Sequence, residues 1–579
     1  MQKYGELLRT LLEKRGIVDE AGAGIFLNPD YERDFHDPFL MRDMKIACAR
    51  ILDAIEKGEK IIIYADYDCD GIPGAVILSD FFKQIGYKNY EVYIPQRNSE
   101  GYGLNLEAIK QFKESKVKLL ITIDLGITAV EEVAQAKKDG IDVIVTDHHI
   151  PQAILPKACA ILNPKVDDYP EKMLCGAGVV FKLIQGLIKF TENGEIAILA
   201  DEDCLSEASY AGKKIASSPF FKGFEKWMLD MAGLATLSDM VPLTGENRAI
   251  AYFGMKVLKK SPRPGLQKLL SKMNIDQRYL SEDDVGFMIT PRLNAASRMD
   301  NPMRAYEVLS TIDAVEAGIL ADHLSKINDE RKSIVTGIMR EANKTLERSL
   351  TDTERGQREV IVIGNPEWRV GVLGLVAGKI SDQHKKPVFV WGKDENDCIK
   401  GSCRSDGSVS IMDLMNDASE SFLDYGGHEL AGGFTVQSDK IHFLEEALAS
   451  SFNKVKKEKK EEKINYDVQA DLSVVNMKNW REINKMAPFG FGNPKPIFLF
   501  EGVKIEKLKK FGKNGSGEHL EITFSDANKN KAVAISFFSN IDSFNNPLVE
   551  GLNVNLLATF DLSRFRGREE LRLRIEDIF

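Results

Sequence analysis

The 579-residue sequence lacks several features that would settle its class at once. No apolar run approaches the ~18 residues of a membrane span, which argues against an integral helical membrane protein. The opening MQKYGELLRTLLEKRG interleaves charges with leucines, with neither the apolar stretch nor the cleavage site of a secretory signal. It predicts an amphipathic helix in a cytoplasmic protein. Cysteine is scarce: seven residues, at 48, 69, 159, 175, 204, 398 and 403, form no CxxC pair. Neither a disulfide framework nor a structural zinc site is expected, and several should pack as small apolar residues. Net positive charge is missing too. With 77 Lys and Arg against 87 Asp and Glu, the total is −10, the opposite of the basic footprint usual in nucleic-acid binders. The deficit is uneven: residues 471–579 hold 16 Lys and Arg and 14 Asp and Glu, a net of +2, so the first 470 carry −12.

The length predicts three or four domains at ~150 residues each. Between about 60 and 150, short apolar strands alternate with helical stretches: EKIIIYAD (59–66), YEVYIP (90–95), VKLLITID (117–124) and IDVIVTD (141–147). Continuous β-branched runs of this kind indicate a mainly parallel sheet covered on both faces. Residues 190–225 read as a polar insertion. From about Asp313 to Leu346, apolar residues recur near i, i+3, i+4 and i+7, which predicts one long helix joining two domains. A second α/β unit begins at REVIVIG (358–364), and KVKKEKKEEK (454–463) is a mixed-charge linker. After about 466, five short alternating strands predict a small β-barrel or sandwich.

The chemistry concentrates where the early strands end. In YADYDCDG (64–71), Asp66, Asp68 and Asp70 alternate on extended chain and share one face. Like charges that close repel unless cations or protons neutralise them. LLITI ends in Asp124, and VIV ends in Thr146, Asp147, His148 and His149. Ligands of parallel α/β sheets bind beyond the carboxyl ends of the strands, so three strand ends should meet in one crevice. Carboxylates with one or two imidazoles suit Mn²⁺ or Mg²⁺, and there are donors enough for two ions. Such a pair binds phosphate oxygens, acidifies a bridging water and favours in-line displacement. A solvated turn would explain DxDxD alone; its coincidence with Asp124 and the His pair favours a metal site.

These motifs resemble a known family. DYDCDG, TIDLGI (122–127) and TDHHIP (146–151) look like the first three motifs of the DHH phosphoesterase superfamily. RNSEGYGLN (97–105), LCGAGVVFKL (174–183), ATLSDMVPLTGENR (235–248) and PRLNAASRMD (291–300) resemble its RecJ group, while GSCRSDG (401–407) and YGGHELAGGF (425–434) look like the DHHA1 accessory domain. The resemblance runs through essentially the whole chain. It implies a parallel-sheet DHH domain (1–310, with an N-terminal helical segment), a connecting helix (311–350), an α/β DHHA1 domain (351–452) and an OB-like barrel (466–579). It also implies a 5′→3′ exonuclease that uses two Mn²⁺ or Mg²⁺ ions to release 5′-mononucleotides from single-stranded DNA, in repair and recombination.

By this resemblance Asp68 and Asp124 would hold one ion, and Asp70, Asp124, His148 and Asp239 the other. Asp239 enters only through the match of LATLSDMVPL, because no spacing singles it out. Asp66 would support the metal shell, Asp147 would orient its neighbouring histidine, and His149 or His428 would assist the leaving oxygen. Departures from the family pattern, including Leu125, Pro73, Gly74, Ser297 and Cys403, remove no expected ligand.

End and strand preference must come from other residues. Arg97, Arg292 and Arg298 are candidates for phosphate binding. The glycine turn of Gly426 and Gly427 beside His428, with Ser402 and Arg404, is assigned to substrate by the resemblance. In the barrel, Arg564, Phe565, Arg566, Arg568, Arg572 and Arg574 combine charge with an aromatic, a composition suited to tracking a single strand. GVLGLVAGK (371–379) is no P-loop: its spacing is wrong, and Ile380 stands where a metal-binding hydroxyl is needed. Expected partners are single-stranded DNA and, further afield, a single-strand-binding protein and a helicase; no membrane is expected, and the chain should be a monomer. Two rivals differ in substrate or chemistry: a phosphodiesterase of short oligonucleotides or cyclic dinucleotides, and a non-catalytic DNA-binding scaffold.

Overall fold

A computed structural model describes residues 1–97, 100–192, 223–350, 359–394, 396–457, 465–512, 519–537, 539, 541, 544, 548–564 and 568–579. Most of the polar insertion read between 190 and 225 lies outside these residues. Two compact units emerge: Asp37–Asp239 with Phe253–Lys460, and Met1–His36 with Met240–Tyr252 and Glu461–Phe579. No helix among the described residues is long and apolar enough to cross a membrane.

The larger unit is built on two sheets. The first contains β1 (Ile61–Ala65), β2 (Tyr90–Tyr93), β3 (Leu119–Ile123), β4 (Asp142–Thr146) and β5 (Ala160–Leu162), all parallel, in the order β2-β1-β3-β4-β5. Every residue of IIIYA and LLITI is buried, because helices cover both faces as the continuous apolar runs predict. Ile62, Tyr64, Leu120, Val143 and Val145 join Ile109, Phe112 and Val133 from the helices Leu106–Glu114 and Val130–Lys138 in one core. The helices Gly71–Ile85 and Gly176–Glu192 pack on β1, β3 and β4 and on each other. Gly74 permits this approach, since a Cβ there would lie 2.6 Å from Ile123 Cγ2. The chain leaves β1 for one side of the sheet and returns to the other, so the switch point lies between β1 and β3, where a crevice opens beyond the strand ends.

The predicted connecting helix is Ala314–Leu350. Its buried stripe includes Ala317, Leu320, Ala321, Leu324, Ile327, Val335, Ile338 and Ala342, the i, i+3, i+4 pattern of an amphipathic helix. It packs against the helices Pro264–Lys272 and Thr290–Met299. The second sheet follows: β6 (Ile361–Gly364), β7 (Val388–Lys393), β8 (Ile399–Arg404), β9 (Asp424–Gly427) and β10 (Ala431–Val436), ordered β6-β7-β8-β10-β9. Only β6 and β7 run parallel. Gly426 and Gly427, expected in a turn, are instead the last two residues of β9, opposite Gly433 and Gly432, and glycine is needed at 427, where a Cβ would stand 2.3 Å from the Ala431 carbonyl oxygen.

The smaller unit holds β11 (Val468–Gln469), β12 (Phe498–Phe511), β13 (His519–Ser525), β14 (Lys531–Phe537), β15 (Asn553–Ser563) and β16 (Glu570–Ile578). Strands β12 to β16 close on themselves through β12–β15, with a parallel β14–β16 pair. Closure removes the open edges a sheet would otherwise present, and five strands so arranged make an OB-like barrel. Phe498, Phe500, Ile522, Phe524, Leu556 and Leu573 fill it, and Leu8, Leu11 and Leu12 of the helix Glu6–Lys14 share that core. The leucines interleaved with charges at the start of the chain therefore form a buried face of this unit.

Candidate active site and nucleic-acid interface

Strands β1, β3 and β4 each deliver polar side chains just past their carboxyl ends. Asp68 Oδ1 accepts the backbone N–H groups of Asp70 (2.8 Å) and Gly71 (3.2 Å), starting the helix Gly71–Ile85. Asp70 accepts from Gly176 (2.5 Å) and Ala177 (2.7 Å) at the opening of the next buried helix, where the helix dipole favours an anion. Asp124 sits in the left-handed region at φ 62°, a strain tolerated where surroundings over-determine the backbone. Its N–H donates to Thr146 O at 2.9 Å, and a Cβ at Gly176 would lie 2.6 Å from its own Cβ.

These residues converge with Asp239, at the end of the helix Leu229–Ser238. His148 Nε2 stands 3.2 Å from Asp124 Oδ1, 3.7 Å from Asp70 Oδ2 and 3.7 Å from Asp239 Oδ2. Three sets of donor atoms lie within 4.8 Å of one another: Asp66, Asp68 and Asp124; Asp70, His148 and Asp239; Asp124, His148 and His149. Two buried carboxylate oxygens, Asp66 Oδ1 and Asp124 Oδ1, accept no well-formed hydrogen bond. Burial and the neighbouring carboxylates push Asp66 and Asp124 well above the carboxylate range, Asp70 to about 6 and Asp239 to about 9. Burial, His149 and Lys165 press His148 down to about 3. Crowded acids that hold protons beside an imidazole that refuses one are short of positive charge, and a divalent cation would supply it. The residues present fit such ions, with all-oxygen and oxygen-plus-imidazole donors of the kind Mn²⁺ and Mg²⁺ take.

Asp147 is the ordered exception. Its Oδ1 accepts from His148 N (2.7 Å), His149 N (3.0 Å) and His149 Nδ1 (2.7 Å), and its Oδ2 accepts from Ile127 N (2.9 Å). Although burial works against it, these bonds hold its carboxyl below the usual range, and they raise His149 above the usual imidazole value. The histidine that Asp147 orients is thus His149, whose Nε2 faces the Tyr102 hydroxyl at 3.4 Å. The His428 ring lies near-parallel to that of His149, with centroids 6.3 Å apart, so the β9–β10 turn reaches the crevice. Ser402 and Arg404 flank the same sheet on β8 opposite Gly433 and Ala431.

The arginines share a different property. Arg97 lies over the Tyr67 ring at 5.2 Å and moderates the Asp66 charge. Burial, Arg97, Arg331 and Arg404 lower Arg298 to about 9. Among the described residues, Arg97, Arg292, Arg298, Arg331 and Arg404 have no carboxylate at ion-pair distance. Arg292 and Arg331 each bury a guanidinium Nε with no partner. Desolvated cations that repel one another call for an anion. Arg331 escaped the sequence reading, yet it stands on the buried stripe of the connecting helix, three residues after the fully buried Asn328. A charge on an apolar stripe is the signal that would have found it. Tyr102 escaped as well, though the left-handed Gly101 and Gly103 on either side mark it.

Three family models match in order: the DHH family, N-terminal domain, over residues 60–211, the DHHA1 domain over 357–457 and the RecJ OB domain over 466–577. The single-stranded-DNA-specific exonuclease RecJ of Bacillus subtilis (strain 168) is 33% identical over 575 residues, 99% of this chain and 67% of that protein. RecJ of Haemophilus influenzae is 30% identical over 541 residues, covering 91% of this chain and 89% of its own length. The chain belongs to the RecJ family. The fold agrees: RecJ from Thermus thermophilus, in its crystal structure in complex with Mn²⁺, superposes with a TM-score of 0.78 at 24% identity, covering all of this chain and 76% of that one.

The RecJ OB domain carries the remaining sequence-predicted residues. Arg564 is exposed and pairs with Glu569 (3.0 Å), and Arg572 pairs with Asp561 (2.5 Å). Arg568 is exposed; Phe565 and Arg566 lie outside the described residues. Arg572 and Arg574 stand 5.7 and 6.0 Å from the Phe537 ring centroid. Strand register extends this patch into a row. Phe511 opposes His519, which opposes Phe537, with ring centroids 5.2 and 5.5 Å apart. Only cross-strand pairing brings the three rings together, so no single segment of sequence displays them.

Proposed function

We propose that this chain is a single-stranded-DNA-specific exonuclease that hydrolyses phosphodiester bonds from the 5′ end and releases 5′-mononucleotides. The observation that carries this reading is the set of three donor-atom groups at the β1, β3 and β4 ends, set beside buried and half-buried arginines that lack carboxylate partners among the described residues. A binding scaffold would need neither the orphaned carboxylate oxygens nor the oriented imidazole.

Asp66, Asp68 and Asp124 would hold one divalent ion, Mn²⁺ or Mg²⁺, and Asp70, His148 and Asp239 a second, with Asp124 adjoining both. Bound there, the ions supply Lewis-acid polarisation of the phosphate and a nucleophilic water at neutral pH. The protein groups do the rest. His149 keeps its Nδ1 proton on Asp147, which fixes the ring and leaves Nε2 directed at the Tyr102 hydroxyl. Because His149 charges more readily than a free imidazole, its Nε2 can carry the proton that the leaving 3′-oxygen needs. His428, held below the ordinary imidazole value by burial, His149 and Lys165, is neutral and suited to donating a single N–H to a phosphate oxygen. A terminal 5′-phosphate bears more charge than an internal diester, so Arg97, Arg298 and Arg404, with Arg292 and Arg331, would favour an end over the middle of a strand. Ser402 would add a hydroxyl donor, and Gly426 and Gly427, with no side chains, would let a phosphate approach the edge of β9 closely.

The test is digestion of 5′- and 3′-end-labelled single- and double-stranded DNA with Mn²⁺. Early release of labelled mononucleotide from the 5′-labelled single strand supports the reading. Cleavage of dinucleotides but not of long strands would replace it with a short-oligonucleotide phosphodiesterase.

A further inference from the structure

The His148–His149 dipeptide lies beyond the end of β4, in neither ladder nor helix. Its two N–H groups and two carbonyls find no backbone partner among the described residues. Buried backbone groups must be satisfied somewhere, and here side chains do it all. Both N–H groups go to Asp147 Oδ1. The His149 carbonyl accepts from Asn163 Nδ2 at 3.0 Å, and the His148 carbonyl accepts from the Lys165 ammonium.

Asn163 and Lys165 come from the turn after β5, placed by the sheet itself. β5 runs parallel to β4 with Leu162 opposite Thr146, and Asp147 N donates to Leu162 O at 3.0 Å. Asn163 is fully buried, and its Oδ1 accepts the Lys165 N–H at 2.9 Å. Pro164 fixes φ between them, so the direction in which the Lys165 stem leaves is set. The two side chains thus hold one dipeptide by both carbonyls while Asp147 holds it by both amides.

We infer that Asn163 and Lys165 are positioning residues that fix the His148–His149 backbone and thereby set the affinity of the carboxylate–imidazole cluster for a divalent cation. His148 Nε2 must stand between Asp70, Asp124 and Asp239, with 3.2 to 3.7 Å to each. An unclamped carbonyl would let the peptide plane turn and carry the ring away from one of them. This inference rests on the metal-site reading above and adds two residues that belong to none of the three donor groups.

Charge gives the test a sign. Asp124, Asp147 and Asp239 all act on Lys165, so its ammonium sits among the very carboxylates that would hold a cation. If Lys165 acted only through its charge, removing it would tighten cation binding. If it acts by clamping His148, removal weakens binding. Mn²⁺ binding to the full chain, read by electron paramagnetic resonance without DNA, separates the two. Lys165→Met, close in shape and uncharged, should bind Mn²⁺ about 10-fold more weakly, the usual cost of losing a group that orients a ligand. Lys165→Arg should restore most of the loss, and Asn163→Ala, with no charge change, should weaken binding by a similar factor. Thermal melting accompanies each variant. A folded Lys165→Met chain that binds Mn²⁺ as tightly as the parent, or more tightly, overturns the clamp even if the fully buried Asn163→Ala variant does not fold. A parent chain that binds no Mn²⁺ overturns the metal-site reading together with the clamp.

Discussion

The crevice of the larger unit and the barrel face of the smaller one handle charge in opposite ways. In the crevice, acids are buried or half-buried and crowded, with more carboxylates than nearby cations, and Asp239 is driven to about 9. On the barrel, exposed Arg564 and half-buried Arg572 are paired with Glu569 and Asp561, and Arg572 is set against the Phe537 ring. Buried unpaired charge is costly and persists where a ligand relieves it, whereas surface pairs of this kind contribute little to stability and exchange readily for phosphate. On the proposed reading, the difference separates chemistry from tracking. The overall charge of −10 is the sum of two unlike regions and reports on neither.

The sharpest way to break this contrast is Asp124→Ala. It removes a donor from two of the three donor groups and should lower Mn²⁺-dependent mononucleotide release by roughly 1,000-fold or more, while single-strand binding by the chain persists. Equal loss of binding and hydrolysis would merge the two roles. Next in size, Arg298→Ala should weaken action on 5′-phosphorylated ends by about 10- to 100-fold relative to 5′-hydroxyl ends, the scale of a charge-assisted hydrogen bond. Competition between the two substrates measures it. On the barrel, Phe537→Ala should cost about 1–3 kcal/mol of single-strand affinity, the scale of one base–aromatic stack, and the loss should fall on KM for long strands. Arg572→Ala should flatten the dependence of log K on log salt by about 0.7, one phosphate contact on a single strand.

Proton linkage distinguishes the regions by sign. Burial and the neighbouring carboxylates push Asp70 up to about 6 and Asp239 up to about 9, so at pH 7 Asp239 above all holds a proton that cation binding must displace. Mn²⁺ affinity should therefore rise as pH increases from 6 to 9, with proton release visible by calorimetry in buffers of different ionisation enthalpy. DNA binding by the barrel face, through arginines that stay charged, should show no such rise over that range.

Much of the fold was legible because its signals are local. IIIYA and LLITI announce strands buried on both faces, and the stripe from Ala317 to Ala342 announces the connecting helix. Asp66, Asp68, Asp70, Asp124, Asp147, His148 and His149 followed from one rule, that residues just past parallel strand ends line a crevice. The same rule missed Asn163 and Lys165 because β5 is three residues long, too short for periodicity to register. Asp239 ends a helix and entered only by resemblance. Arg331 and the Phe511–His519–Phe537 row were missed for another reason: helix packing and strand register bring together residues that no window of sequence contains.

The central claim is that the β1, β3 and β4 ends hold the chemistry and that unpaired arginines beside them select the 5′ end. The most direct test digests 5′-labelled and 3′-labelled single-stranded DNA with Mn²⁺, using the parent chain and Asp124→Ala side by side. The account predicts immediate 5′-labelled mononucleotide, late 3′ label and release by Asp124→Ala lowered by roughly 1,000-fold or more. Label released first from the 3′ end, or undiminished hydrolysis by Asp124→Ala, would contradict it.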